Sequence, residues 1–149
     1  MKKSAPGFTL IELLIVLALL GLTVIPLYFS YTRQQAKQGL NASAQELSDV
    51  IRSAHVFSRE AKDKKIWGVR SDTDSAYYLV SKNGSNGSWS NEQRHTLEPL
   101  VTFGNSFDFS FDINTGDIQA EQKLSLVDKY NDQLFVYVFA SGLVEVQNK

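Results

Sequence analysis

The apolar run over residues 8–29 constrains the fold of this chain more than any other feature. Glu12 is its only strongly polar residue, and Thr9 and Thr23 are mild interruptions. As a helix, these 22 residues would extend about 33 Å at ~1.5 Å per residue. The hydrocarbon core of a bilayer is about 30 Å thick. We therefore predict a single N-terminal membrane span.

Only seven residues, MKKSAPG, precede this run. Lys2 and Lys3 favour a cytoplasmic N-terminus with the rest of the chain exported, because positive residues stay inside. A cleaved secretory signal fits poorly, since its apolar region is usually ~7–15 residues long and ends in small residues. Here the bulky VIPLYFSYT follows. A plain membrane anchor fits the hydropathy but leaves Glu12 and the short leader unexplained.

The composition excludes some classes of site. The chain has 149 residues, which suits one domain with an appended element. Its net charge of −1 indicates no strong attraction to nucleic acid or acidic lipid. Cysteine is absent, which excludes disulfides and thiolate metal sites.

Helical periodicity continues beyond the apolar run. Between residues 30 and 61 small and apolar residues recur every three or four positions, with polar residues between them. Pro26 lacks a backbone donor and should bend the helix. We predict one helix over residues 8–61, kinked near Pro26, whose second half is amphipathic. The predicted stripe consists of Ala36, Leu40, Ala44, Leu47, Ile51, Ala54 and Ala61.

After Lys65 the period changes to two, which is typical of strands. In FDFSFDI the apolar residues alternate with polar ones, so one face is buried. LFVYVFA is apolar on both faces and predicts a central strand. KNGSNGSWSNEQ is predicted as a loop, and NTGD and ASG as turns. The predicted strands cover residues 66–69, 76–81, 97–103, 107–113 and 134–140. Residues 62–149 then form a β-rich head, and the predicted class is α+β, a long helix packed on a small antiparallel sheet or sandwich.

KKSAPG followed by FTLIELLIV resembles the prepilin signature: a basic leader, a glycine, then an aromatic-led apolar helix with glutamate at its fifth position. Gly21 in LALLGLTVI also fits this family of type IV pilins, competence pilins and type II secretion pseudopilins. The head is most similar to the GspH/FimT branch. LSDVIRSAHVFSREA is similar to its helix, FDINTGD to its Thr-Gly turn, and FVYVFASGLVEV to its final hairpin.

The resemblance implies a set of roles and partners. Prepilin peptidase would remove the leader, residues 1–7, by cutting between Gly7 and Phe8, and would methylate the new amine of Phe8. Glu12 matches the assembly glutamate of the family, and Pro26 would kink the helix. The implied partners are other subunits in a helical filament, the peptidase and an inner-membrane assembly platform. The filament would then lie in the periplasm or at the cell surface.

Elementary electrostatics agrees with the role implied for Glu12. A carboxylate within an apolar span costs about 2.5–3.5 kcal/mol, so it should have a partner. The charged N-terminus of Phe8 on a neighbouring subunit would supply one and would set the axial stagger between subunits. Pro26 comes earlier than the kinking proline of major pilins, and the C-terminal cysteine pair of many type IV pilins is missing. Both departures favour a pseudopilin or a minor pilin.

The head offers few alternatives to a structural role. Asp112, Asn114 and Asp117 resemble a calcium loop, but no glutamate follows at EF-hand spacing, so we expect a turn and no metal. His55 and His95 have no ligand or triad partner at a useful spacing. No motif predicts an enzyme or a cofactor. A basic group could contact DNA in a competence-type minor pilin, although helix-end charge explains it more simply; its members are Arg59, Lys62, Lys64, Lys65 and Arg70.

Overall fold

The computed structural model describes residues 9–84 and 86–148 and confirms the α+β class. One helix, α1 (Leu10–Arg59), is followed by a single 3-10 turn (Lys62–Lys64) and then by strands. The strands are β1 (Lys65–Thr73), β2 (Ala76–Asn83), β3 (Trp89–Thr96), β4 (Val101–Phe103), β5 (Asp108–Ser110), β6 (Gln122–Asp128), β7 (Gln133–Val138) and β8 (Val144–Asn148).

The strands form two antiparallel sheets of four. Sheet A has the order β3-β2-β1-β5, and sheet B has the order β4-β6-β7-β8. The chain divides into two compact units, one ending at Gln35 and the other beginning at Ala36. Both sheets and the C-terminal half of α1 belong to the second unit.

The C-terminal half of α1 buries most of the predicted stripe. Its apolar positions pack with the inner faces of both sheets in one hydrophobic core. Burying a leucine or isoleucine side chain fully contributes about 1.5–3 kcal/mol, so this contact holds the helix on the sheets. The buried stripe residues are Ala36, Leu40, Ala44, Leu47, Ile51 and Ala54, each at most 3% exposed.

The helix ends two residues earlier than predicted. Ala61 lies outside α1 in a left-handed conformation with φ 49°, and it is only half-buried. Ser58 fixes the exit of the chain, because its Oγ accepts a hydrogen bond from the Trp67 amide at 3.0 Å. Its carbonyl accepts another from the Asn114 amide, also at 3.0 Å. These contacts tie the helix end to β1 and to the turn after β5.

Three predicted strands are close to the observed ones. Those at 66–69 and 76–81 become the longer β1 and β2, and β7 is a central strand between β6 and β8. The other two predicted strands are longer than the observed ones: only β5 forms within 107–113, and only β4 within 97–103. Leu100 has φ 73° in a turn, which prevents an extended conformation there.

The prediction missed β6 and placed much of β3 in a loop, and β8 was expected only as the second strand of the hairpin that FVYVFASGLVEV resembles. β3 is an edge strand with five consecutive exposed residues, so its sequence WSNEQRHT shows no apolar alternation. Its pairing with β2 decides its conformation. β6 does alternate, burying Leu124, Leu126 and Asp128, but the polar residues between them concealed the pattern.

Two glycine turns close over the His55 side chain on α1. Gly116 and Gly142 both have φ 78°, and a Cβ on Gly116 would lie 2.6 Å from the His55 Cδ2. A Cβ on Gly142 would also meet this ring. Phe111 packs against the imidazole edge-on, with centroids 5.5 Å apart. Burial, together with the nearby Arg59 charge, lowers the pKa of His55, so the neutral ring is favoured in this position.

We expect Gly116→Ala to destabilise the head more than Gly84→Ala. Both glycines have positive φ, which costs an alanine about 1–2 kcal/mol. A Cβ on Gly84 would have nothing within 4 Å, whereas one on Gly116 would overlap His55. That overlap should lower the free energy of unfolding of Gly116→Ala by about 1–3 kcal/mol more. Urea unfolding of the full chain in mild detergent, followed by near-UV circular dichroism, measures the difference. Equal losses in the two variants would contradict the packing of His55.

Candidate functional site

The N-terminal part of α1 carries a continuous apolar surface. Of residues 9–35, none is buried, and each large hydrophobic side chain from Leu10 to Tyr31 is at least 45% exposed. The most apolar 18-residue window of α1 has a mean hydropathy of 2.7, and the helix is long enough to cross a membrane. Water is a poor solvent for such a surface, so lipid or other apolar helices must cover it. This surface fits membrane anchoring.

Glu12 lies in the first turn of α1, where helices have unpaired amides. The Glu12 amide donates to Thr9 Oγ1 at 3.3 Å, and the Leu13 amide donates to the Thr9 carbonyl at 3.2 Å. Thr9 therefore caps the helix. The Glu12 side chain is exposed, and its negative charge is favourable beside the positive end of the helix dipole. Gly7 and Phe8 lie outside the described residues.

The polar interruptions of the apolar segment are accommodated within the helix. The Thr23 hydroxyl donates to the carbonyls of Leu19 and Leu20 at 3.2 and 3.0 Å, so it needs no water partner. Pro26 cannot donate to the carbonyl four residues before it. The helix nevertheless continues from Leu10 to Arg59, so the kink at Pro26 stays a prediction.

Gly21 has no packing role within the described chain. A Cβ added to it would have nothing within 4 Å. Glycine is the poorest helix former after proline, costing about 1 kcal/mol relative to alanine. Small residues in membrane helices allow close approach of a second helix. The described chain itself therefore gives no packing reason for glycine at this position.

The residues of the suspected calcium loop form a turn. The Asp112 amide donates to the Asp117 carbonyl at 2.8 Å, and the Gly116 amide donates to the Asp112 carbonyl at 2.9 Å. Asn114 adopts a left-handed conformation with φ 71°. Within the described ranges no group of three or more His, Asp or Glu side chains is placed to hold a metal ion.

Part of the charge of the basic group is compensated. Lys65 Nζ lies 3.1 Å from Glu92 Oε1, and Arg70 Nη2 lies 2.8 Å from Asp108 Oδ2. Hydrogen bonds from Ser81 and from the Lys65 ammonium lower the pKa of Glu92. Lys62 Nζ lies 3.7 Å from the centre of the Phe57 ring. Three of the five cations therefore have a carboxylate or an aromatic ring beside them.

The contacts of His95 were not predicted from the sequence. Its Nδ1 lies 3.0 Å from Glu46 Oε1 and so connects β3 to α1. Its ring stacks on the buried Tyr77, with centroids 5.2 Å apart. Burial raises the pKa of the Tyr77 phenol well above its usual value. The partners are 49 residues apart in the chain, so no local pattern indicates the pair.

Comparison with known families identifies the same segment. A family model described as the prokaryotic N-terminal methylation motif matches residues 2–28. Comparisons with curated proteins and with solved structures gave no match. The matched residues include residues 2–7 of the leader, Glu12, Gly21 and Pro26. The chain thus carries the N-terminal methylation motif of type IV prepilin-like proteins, which indicates a pilin-like or pseudopilin subunit.

Proposed function

We propose that this chain is a minor pilin or pseudopilin of a type IV pilus or type II secretion filament. The observation that carries the proposal is the uncovered apolar surface of α1, which begins with one carboxylate and follows a basic leader ending in glycine. A membrane anchor needs the apolar surface but not the carboxylate. A helix that passes from the bilayer into a filament core has a use for both.

The leader is cut by prepilin peptidase between Gly7 and Phe8, and the new amine of Phe8 is methylated. Glycine suits a cleavage site because an extended backbone without Cβ enters a protease freely. Before cleavage, residues 8–29 anchor the chain in the inner membrane with the N-terminus in the cytoplasm and the head exported. After cleavage the assembly platform moves the subunit into a filament in the periplasm or at the cell surface.

Glu12 pairs with the Phe8 amine of a neighbouring subunit. Thr9 and the helix dipole stabilise the first turn but leave the carboxylate exposed. In a filament core of packed apolar helices an unpaired carboxylate is costly, and a cation held against it with good geometry offsets part of that cost. Pairing also fixes the axial position of one helix against the next. Gly21 allows the helices to approach closely.

The head is assigned to the GspH/FimT branch as part of this proposal. Its support is an α1 helix buried against two antiparallel sheets, with a glycine turn in the β7–β8 hairpin. In the alternative, a competence-type minor pilin, the head binds DNA for uptake. This alternative has less support, because Lys65 and Arg70 already have carboxylate partners. Retention of the full chain on immobilised DNA at low salt, lost as salt is raised, would favour it.

We expect the mature protein to begin at Phe8. Intact-mass spectrometry after co-expression with a prepilin peptidase should show loss of residues 1–7 and gain of one methyl group. Gly7→Ala should be processed better than Gly7→Val or Gly7→Glu, because alanine adds only one methyl group beside the cut bond, whereas valine and glutamate add larger side chains. A wild-type chain left uncut by an enzyme that cuts a control prepilin would contradict the proposal.

We expect Glu12→Ala to insert normally but to enter filaments poorly. The variant should stay in the membrane fraction after alkaline extraction, because removing a carboxylate makes the span more apolar. The substitution leaves the Phe8 amine unpaired among apolar helices, which costs about 3–5 kcal/mol. The measurement is the fraction of subunit in sheared filaments, with a tenfold or larger fall expected at about 1.4 kcal/mol per decade. Glu60→Ala, an exposed glutamate beyond α1, is the matched control. Equal incorporation of both variants would remove the role given to Glu12.

A further inference from the structure

A pocket of about 340 Å³ opens on the outer face of sheet A. Asp108 and Ser110 flank the buried Phe109 in β5, so their side chains face away from the core. Trp89, on the opposite edge strand, forms a second wall. The segment that leads into β6 completes the pocket with Ile118, Gln119 and Gln122. The pocket shares no residue with the N-terminal site.

Trp89 forms an apolar wall of the pocket, and two cationic side chains lie against its indole ring. Its side chain is half-buried at the first position of β3. Lys82 Nζ lies 4.7 Å and Arg70 Cζ 5.6 Å from the indole ring centre. Such cation–π contacts each contribute about 0.5–1 kcal/mol at exposed sites. The part of the indole that lines the pocket offers apolar contact to a ligand.

The polar wall of the pocket has several hydrogen-bonding groups, and its one charged group, the Asp108 carboxylate, is paired with Arg70. Arg70 donates twice to Asp108 Oδ2, from Nε at 2.9 Å and from Nη2 at 2.8 Å, which leaves Oδ1 as an acceptor. Gln122 Nε2 donates to the Ala120 carbonyl at 3.2 Å, so its amide oxygen is a second oriented acceptor. Ser110 and Gln119 can each donate and accept.

The apolar indole and the polar wall together indicate which class of ligand the pocket binds. An anion would face the Asp108 carboxylate, a cation would lie near Arg70 and Lys82, which contact Asp108 and Trp89, and a purely apolar group would not use the hydrogen-bonding groups of the lining. A sugar ring has one face of C–H groups, which pack on an aromatic plate, and a rim of hydroxyls, which donate and accept. The volume is at the lower end of ligand pockets, which suits one ring. We propose that this pocket binds a single neutral pyranose residue, either free or at the end of a glycan.

The test uses the full chain in lipid nanodiscs, because sugar-based detergents would compete. Saturation-transfer NMR with the methyl pyranosides of glucose, galactose and mannose should show transfer to the ring protons of at least one. Trp89→Ala should weaken that binding at least about tenfold, given the stacking contribution and 1.4 kcal/mol per decade. Ala120→Trp, which fills the pocket while keeping Trp89, should abolish it.

Tyr78→Ala is the matched control, since Tyr78 lies on the same sheet face without lining the pocket. Its binding should equal that of the wild type. An oligosaccharide ending in the preferred sugar distinguishes the two sources: tighter binding indicates a glycan end, and equal binding a free sugar. Three results would overturn the proposal. One is that no neutral pyranoside shows saturation transfer, and another is that the Trp89 and Tyr78 variants lose sugar binding equally. The third is that the protein prefers a glucuronide over its neutral counterpart.

Discussion

The fold depends on burial of one stripe of α1 against the inner faces of both sheets. Leu47 and Ile51 are completely buried there, and Ala44 and Ala54 allow close approach of the backbones. The first half of the same helix buries nothing within the described chain. A single helix therefore has two different environments, one supplied by its own head and one that other molecules must supply.

That requirement connects the apolar surface to the charge of Glu12. Lipid covers leucine and isoleucine side chains well but solvates a carboxylate poorly, whereas neighbouring subunits can do both. The helix N-terminus favours the negative charge locally without neutralising it. The carboxylate is therefore costly for the isolated subunit and useful in the proposed assembly, where it selects the register between helices.

Much of the helix and its site could be predicted from the sequence, because both depend on local patterns. The apolar run, the leader and the spacing of Leu40, Ala44, Leu47 and Ile51 are properties of consecutive residues. β7 could be predicted for the same reason, since both of its faces are apolar. The end of α1 could not, because Ala61 turns left-handed where Ser58 bonds to Trp67 and Asn114.

The sequence alone determined a membrane-length helix with a carboxylate in its first turn, and an amphipathic continuation of that helix. These follow from hydropathy and from a period of 3.6 residues, which act over short distances along the chain. Tertiary structure alone decided that WSNEQRHT is an edge strand, that His95 meets Glu46, and that Trp89 and Asp108 line one pocket. The edge strand depends on pairing with β2, and the other two contacts depend on packing between segments far apart in the chain; polar side chains carry no local signal for either.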